Sequence, residues 1–146
     1  MKPIQKILFP IDLASKFETL IPWVQGFAAQ FNAIVYLLFV VQDVPPFITF
    51  YAPHCDIEDF REKVQVAAKK KMADTVKDLF KDFPKLETRV EVGVPAKMIL
   101  EFADREKIDL IVMGTQGRKG VKLALLGSVA ARVVQAAPCP VVTIHP

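Results

Sequence analysis

Five short apolar runs punctuate the chain, at 7–12, 33–41, 88–94, 109–114 and 140–144. Each is brief and mostly β-branched or aromatic, as a strand buried in a sheet should be. Four stretches between them carry helical spacing instead. The first sets Phe17, Leu20, Ile21, Val24, Phe27, Ala28 and Phe31 on one stripe, with polar residues opposite. The second is longer and predicts Phe60, Val64, Ala67, Met72, Val76, Leu79, Phe80 and Phe83 facing inward. Lys69, Lys70, Asp74, Lys77 and Asp78 then form a solvated face. A third starts near Pro95, where a missing N–H costs nothing in a first helical turn, and turns Met98, Ile99, Phe102 and Ala103 inward. The fourth starts near Ser128, buries Val129, Val133 and Val134, and is stopped by Pro138.

Strand and helix alternating in this way predict an α/β fold: an open, parallel, five-stranded sheet with helices on both faces, joined by right-handed crossovers. The third strand alternates, with Val90, Val92 and Val94 on one face and Arg89, Glu91 and Gly93 on the other, which suits an edge. The first, second and fourth are apolar throughout and read as central, so the expected order is 3-2-1-4-5. No repeat, low-complexity tract or linker interrupts the pattern, and residues 1–146 are expected to form a single domain. The exception to short connections is 43–57, rich in Pro, Phe and Tyr. A loop of that length tends to be functional. It reads either as a flap packing its aromatics on the sheet edge or a partner subunit, or as a lid over a ligand.

Composition narrows the class further. With 146 residues, 52% hydrophobic and 24% charged, the chain can bury one real core and is unlike a disordered sequence. A net charge of +3 is too small and scattered to argue for nucleic-acid binding. The longest apolar run, 33–41, is far short of the roughly 20 residues of a membrane-spanning helix. The opening residues show no secretory pattern. Two cysteines, Cys55 and Cys139, cannot staple a domain of this size. A cytoplasmic location is therefore expected.

The sheet order places a ligand before any motif is considered. The connections leaving the first and fourth strands diverge, which opens a crevice at their carboxyl ends. Pro10, Ile11 and Asp12 lie at one lip, and Met113, Gly114 and Thr115 at the other. Three of the six glycines, Gly114, Gly117 and Gly120, follow the fourth strand, and Gly127 precedes the last helix. Glycine lets phosphate oxygens approach backbone N–H groups with no Cβ in the way. The start of a helix at Ser128 offers free N–H groups and a favourable dipole to an anion, and Arg118 and Lys119 add positive charge. The simpler reading makes the glycines a tight turn and Ser128 an N-cap. Convergence of loop, helix start and Asp12 on one crevice favours the phosphate cradle. Asp12 itself could read a ligand or cap the helix beginning near Ser15.

Gly114, Gly117, Gly127 and Ser128 fit the spacing G-x2-G-x9-G-[S/T], by which the sequence resembles the nucleotide-binding universal stress proteins. Lys6 to Asp12, Gly93-Val94-Pro95 and the Pro138-Cys139-Pro140 segment extend that likeness over essentially the whole chain. The resemblance implies an adenine-nucleotide alpha-hydrolase-like fold and an ATP-binding regulatory protein. It implies that Asp12, with the backbone of Pro10 and Ile11, holds the adenine edge and that Val40 lines the base pocket. Met113, Gly114, Thr115, Gly117 and Arg118 would meet ribose and phosphates, and Gly127, Ser128 and Val129 would close on the phosphates. Nucleotide chemistry adds Mg2+ bridging the phosphates, with no metal site built from protein side chains. The resemblance further implies a homodimer formed by antiparallel pairing of Val141–Ile144, an apolar edge that invites pairing.

Other chemistries fit less well. No G-x4-G-K-[S/T] occurs, glycines are missing after the first strand, and the third strand does not end in an acceptor Asp. The adjacent His54, Cys55 and Asp56 suit no tetrahedral ion. Three function classes stay open: a nucleotide-binding regulator, a slow ATPase or phosphotransferase, and a nucleotide-free dimeric scaffold. The two histidines, His54 and His145, are not expected to reach the cradle.

Overall fold

The computed structural model describes residues 1–13, 16–45, 47–116 and 126–146. The strands are β1 (Lys6–Ile11), β2 (Ile34–Val41), β3 (Leu86–Val92), β4 (Leu110–Gly114) and β5 (Val141–Ile144). They form one sheet in the order β3-β2-β1-β4-β5, with every neighbouring pair parallel. The helices are α1 (Ile21–Phe31), the short α2 (Ile48–Tyr51), α3 (Ile57–Leu79), α4 (Pro95–Arg105) and α5 (Ser128–Ala136). Among the described residues no helix is long and apolar enough to cross a membrane.

Alternation along the central strands divides the core into two layers. Ile7, Phe9 and Ile11 of β1, Val35, Leu37 and Phe39 of β2, and Leu110 and Val112 of β4 meet α1 and α3 through Val24, Ala28, Ala68 and Met72. Leu8, Tyr36, Leu38, Ile111 and Met113 point the other way, onto Ala96, Ile99 and Phe102 of α4 and Ala130 and Val133 of α5. Phe9 and Phe102 are fully buried, and each such side chain contributes about 1.5–3 kcal/mol. The chain thus passes from β1 to β2 over one face and returns to β4 over the other.

Local sequence explains the element ends. Asn32 stops α1 in the left-handed conformation, which asparagine tolerates better than most residues. Asp56 caps α3 by accepting a hydrogen bond from the Asp59 N–H at 3.1 Å. Pro95 opens α4 as expected. Gly93, with φ of 152°, makes the turn before it; a Cβ there would sit 3.0 Å from Met98 Cγ and Sδ.

Several details differ from the expectation. Residues 17–20 form a separate 3-10 turn, Phe17–Leu20, ahead of α1. The buried stripe of α3 runs through Ala68 and Met72, while Ala67 faces solvent and Phe60 and Leu79 are substantially exposed. In α5 the inward residues are Ala130 and Val133, and Val134 is exposed. Val94 is also exposed: β3 ends at Val92, and Val94 caps α4. The 43–57 connection contains α2, whose Phe50 and Tyr51 are among the most exposed large apolar residues described, with Phe47 beside them. These rings meet one another edge-on rather than the sheet. The segment is held at its ends by the Asp43 carboxylate, which accepts from Arg61 Nε at 2.8 Å.

Candidate functional site

A cavity of about 540 Å³ opens at the carboxyl ends of β1 and β4. That volume lies within the 300–1,000 Å³ typical of small-ligand pockets. One lip is Pro10, Ile11 and Asp12, delivered by the end of β1; the other is Met113, Gly114 and Gln116, delivered by the end of β4. Leu38, Phe39, Val40 and Gln42 extend it along β2. Gly127, Ser128 and Val129 bring the amino end of α5 to the same space.

The lining combines apolar walls with a few polar side chains. Phe17 and Leu20 from the 3-10 turn and Pro95 and Ile99 from α4 form apolar walls. Asp12, Gln42, Gln116 and Ser128 supply the polar side chains, and Asp12 is the one formally charged residue among the described lining residues. Gly127, not Ser128, is the N-cap of α5, with φ −64° and ψ 159°. The capping alternative for Ser128 is therefore corrected: it occupies the first helical turn, where backbone N–H groups have no partner within the helix. Those N–H groups and the helix dipole favour negative charge at the α5 end of the cavity.

Thr115 is placed differently from its neighbours. It is the sole buried polar residue among those described, and it lies behind the cavity lining. Its N–H donates to Ile144 O at 3.0 Å, and its carbonyl accepts from Gly127 N–H at 2.6 Å. Its hydroxyl shares a 3.0 Å hydrogen bond with His145 Nδ1. His145, expected to stay remote, is thus joined to the loop that follows β4. Gly114 is tightly enclosed as well: a Cβ there would meet Leu20 Cδ1 at 3.3 Å.

Of the residues anticipated from sequence, Pro10, Ile11, Asp12, Val40, Met113, Gly114, Gly127, Ser128 and Val129 surround one cavity. Gly117 and Arg118, with Lys119 and Gly120, lie outside the described residues, as does Ser15. Phe17, Leu20, Leu38, Phe39, Gln42, Pro95 and Ile99 were not anticipated. A signal for some of them existed, since apolar residues opening the helices beside a topological switch point must face it. Among the described residues no group of three or more His, Cys, Asp or Glu is placed to hold a metal ion.

The opposite end of the sheet is closed. Asp109, just before β4, accepts from the N–H groups of Gln5 and Lys6 at 3.0 and 3.1 Å and pairs with Lys2 Nζ at 2.8 Å. Burial pushes its carboxyl pKa up, but these hydrogen bonds outweigh that and hold it below the ordinary carboxylate value. Burial likewise raises the Cys139 thiol.

Residues 3–145 match the Universal stress protein family. The Universal stress protein MJ0531 of Methanocaldococcus jannaschii is 39% identical over 144 residues, covering 96% of this chain and 81% of that protein. The solved structure of hypothetical protein MJ0577, from the same organism, superposes with a TM-score of 0.81 at 28% identity, covering 99% of this chain and 98% of that one. The same fold occurs in a universal stress protein solved in complex with cAMP (TM-score 0.61, 23% identity, 99% and 98% coverage). It also occurs in the one from Archaeoglobus fulgidus solved with dAMP (TM-score 0.66, 22% identity, 98% and 99% coverage).

Proposed function

This chain belongs to the universal stress protein family, and from that premise we propose that it is an ATP-binding regulatory protein whose nucleotide sits in the cavity between β1, β4 and α5. One observation carries the reading: the end of β1, with Asp12, and the start of α5, with Gly127 and Ser128, converge on a single cavity of nucleotide size. Relatives solved with cAMP and dAMP support an adenine nucleotide over other ligands. The spacing of Gly114, Gly117, Gly127 and Ser128 supports a phosphate chain long enough to run along the loop.

In this reading Asp12 and the backbone of Pro10 and Ile11 recognise the base edge, and Val40 packs against it. Met113 and Gly114 define the ribose side, with Thr115 behind them rather than at the ligand, and Gly117 and Arg118 stand at the phosphates. The N–H groups of Ser128 and Val129 receive the terminal phosphates, whose negative charge the α5 dipole favours. A Mg2+ ion travels with the phosphates rather than in a side-chain site. The protein works as one domain in the cytoplasm, and nucleotide occupancy alters its dimer state or choice of partner. The dimer forms through β5, whose outer edge is unpaired in the sheet order.

Isothermal titration with ATP, ADP and GTP tests the reading, together with mass spectrometry of any small molecule released on denaturing freshly purified protein. Saturable ATP binding with weaker GTP binding is expected. A protein that binds ATP and GTP equally, or neither, contradicts it. Undetectable ATP turnover at saturation separates the regulator from a slow ATPase.

A further inference from the structure

Thr115 joins three parts of the molecule that are distant in sequence. Its backbone N–H ends the β4–β5 ladder on Ile144 O, and its carbonyl holds the N–H of Gly127, the residue that caps α5. Its hydroxyl is tied to His145, beyond the last strand. Neither Thr115 nor His145 lines the cavity, yet Gly114 and Gln116 on either side of Thr115 do, as do Gly127 and Ser128. A buried hydroxyl needs a hydrogen-bond partner, so the Thr115 side chain has one strongly preferred placement while His145 is present. That placement fixes the peptide whose carbonyl receives Gly127.

We propose that Thr115 and His145 form a latch that positions the amino end of α5 for phosphate. They are positioning residues, acting through Gly127 and not by touching the ligand. The latch couples the residue after β5 to the nucleotide site: His145, an exposed side chain, sets the aim of N–H groups on the far side of Thr115. The contribution falls on the phosphates and leaves the base untouched, because Asp12 follows β1 and Val40 belongs to β2, whereas Thr115 holds the residue that caps α5.

This inference rests on the nucleotide reading above, and its test includes a readout that does not. Thr115→Val removes the hydroxyl and keeps the backbone bonds; His145→Ala removes the partner at an exposed position where folding is not at stake. One hydrogen bond is worth roughly 0.5–1.5 kcal/mol, so each variant is expected to weaken ATP binding roughly three- to tenfold. Adenosine binding should be unchanged, the double variant no worse than either single one, and Thr115→Ser close to wild type. In the nucleotide-free protein, amide hydrogen exchange at Gly127 should accelerate relative to core amides such as that of Phe102. Equal loss of ATP and adenosine affinity, or additive losses in the double variant, overturns the latch. So does unchanged Gly127 exchange. If the wild-type protein binds no ATP, the functional reading falls and the exchange comparison alone decides: faster Gly127 exchange sustains the latch, unchanged exchange refutes it.

Discussion

The two ends of the β1–β4 seam are built from the same pair of neighbouring strands and reach opposite outcomes. At the amino end, Asp109 fills the gap with a carboxylate that accepts two backbone N–H groups and pairs with Lys2. At the carboxyl end the crossovers part over opposite faces, and the gap stays open as a cavity of about 540 Å³. Parallel strands leave unpaired backbone groups at both ends, and those groups need partners. A side chain of the chain itself supplies them at one end. The open end keeps N–H groups of α5 available for something else. If the open end binds nucleotide as proposed, stability and binding sit at opposite ends of one seam and should be separable by mutation.

The largest separation is expected from Asp109→Ala. Removing the acceptor of two backbone donors should cost about 2–3 kcal/mol in urea unfolding, with ATP affinity unchanged. The same residue gives the seam a pH signature. Because the folded pKa of Asp109 is lowered, its stabilisation is present above the unfolded carboxylate value of about 3.9 and is lost as pH falls through the lower folded value. Asp109→Asn should flatten that acid limb in a series of thermal melts. A variant that loses ATP binding along with stability would show the two ends to be coupled.

At the open end, Gly127→Val should weaken ATP binding by more than tenfold, roughly 1.4 kcal/mol or more, with little change in melting temperature. The backbone at Gly127, with φ −64° and ψ 159°, is one valine adopts freely, so the loss would come from the side chain crowding the N–H groups. Asp12→Ala should have a smaller effect, about 1 kcal/mol, seen as reduced preference for ATP over GTP in competitive titration. Smallest is Phe50→Ser on α2. That ring is mostly exposed and lines no part of the cavity, so stability and ATP affinity should stay within about 0.5 kcal/mol of wild type.

Much of the sheet was legible in the sequence because burial writes itself on strands. β1, β2 and β4 are apolar on both faces and are central; β3 alternates and sits at an edge. The position of the cavity followed from that order alone, since diverging crossovers need no particular residue to create a crevice. Helix rotation was less legible. Phe60 and Leu79 carry more apolar surface than Ala68, yet α3 turns Ala68 and Met72 inward and leaves those two exposed, so apolar spacing alone did not fix its rotation. The pairing of Thr115 with His145 was hidden for another reason. It depends on the register that sets Gly114 opposite Ile144, and nothing in the spacing of two apolar strands specifies it. The aromatics of 43–57 show the converse, a strong apolar signal that the fold leaves in solvent.

The central claim is that an adenine nucleotide occupies the open end of the seam, base toward β1 and phosphates toward α5. A crystal structure grown with excess ATP tests it most directly. The base is expected beside Asp12 and Val40 and the phosphates within hydrogen-bond reach of the Ser128 and Val129 N–H groups. An empty cavity in the presence of saturating ATP, or nucleotide bound elsewhere on the molecule, would contradict it.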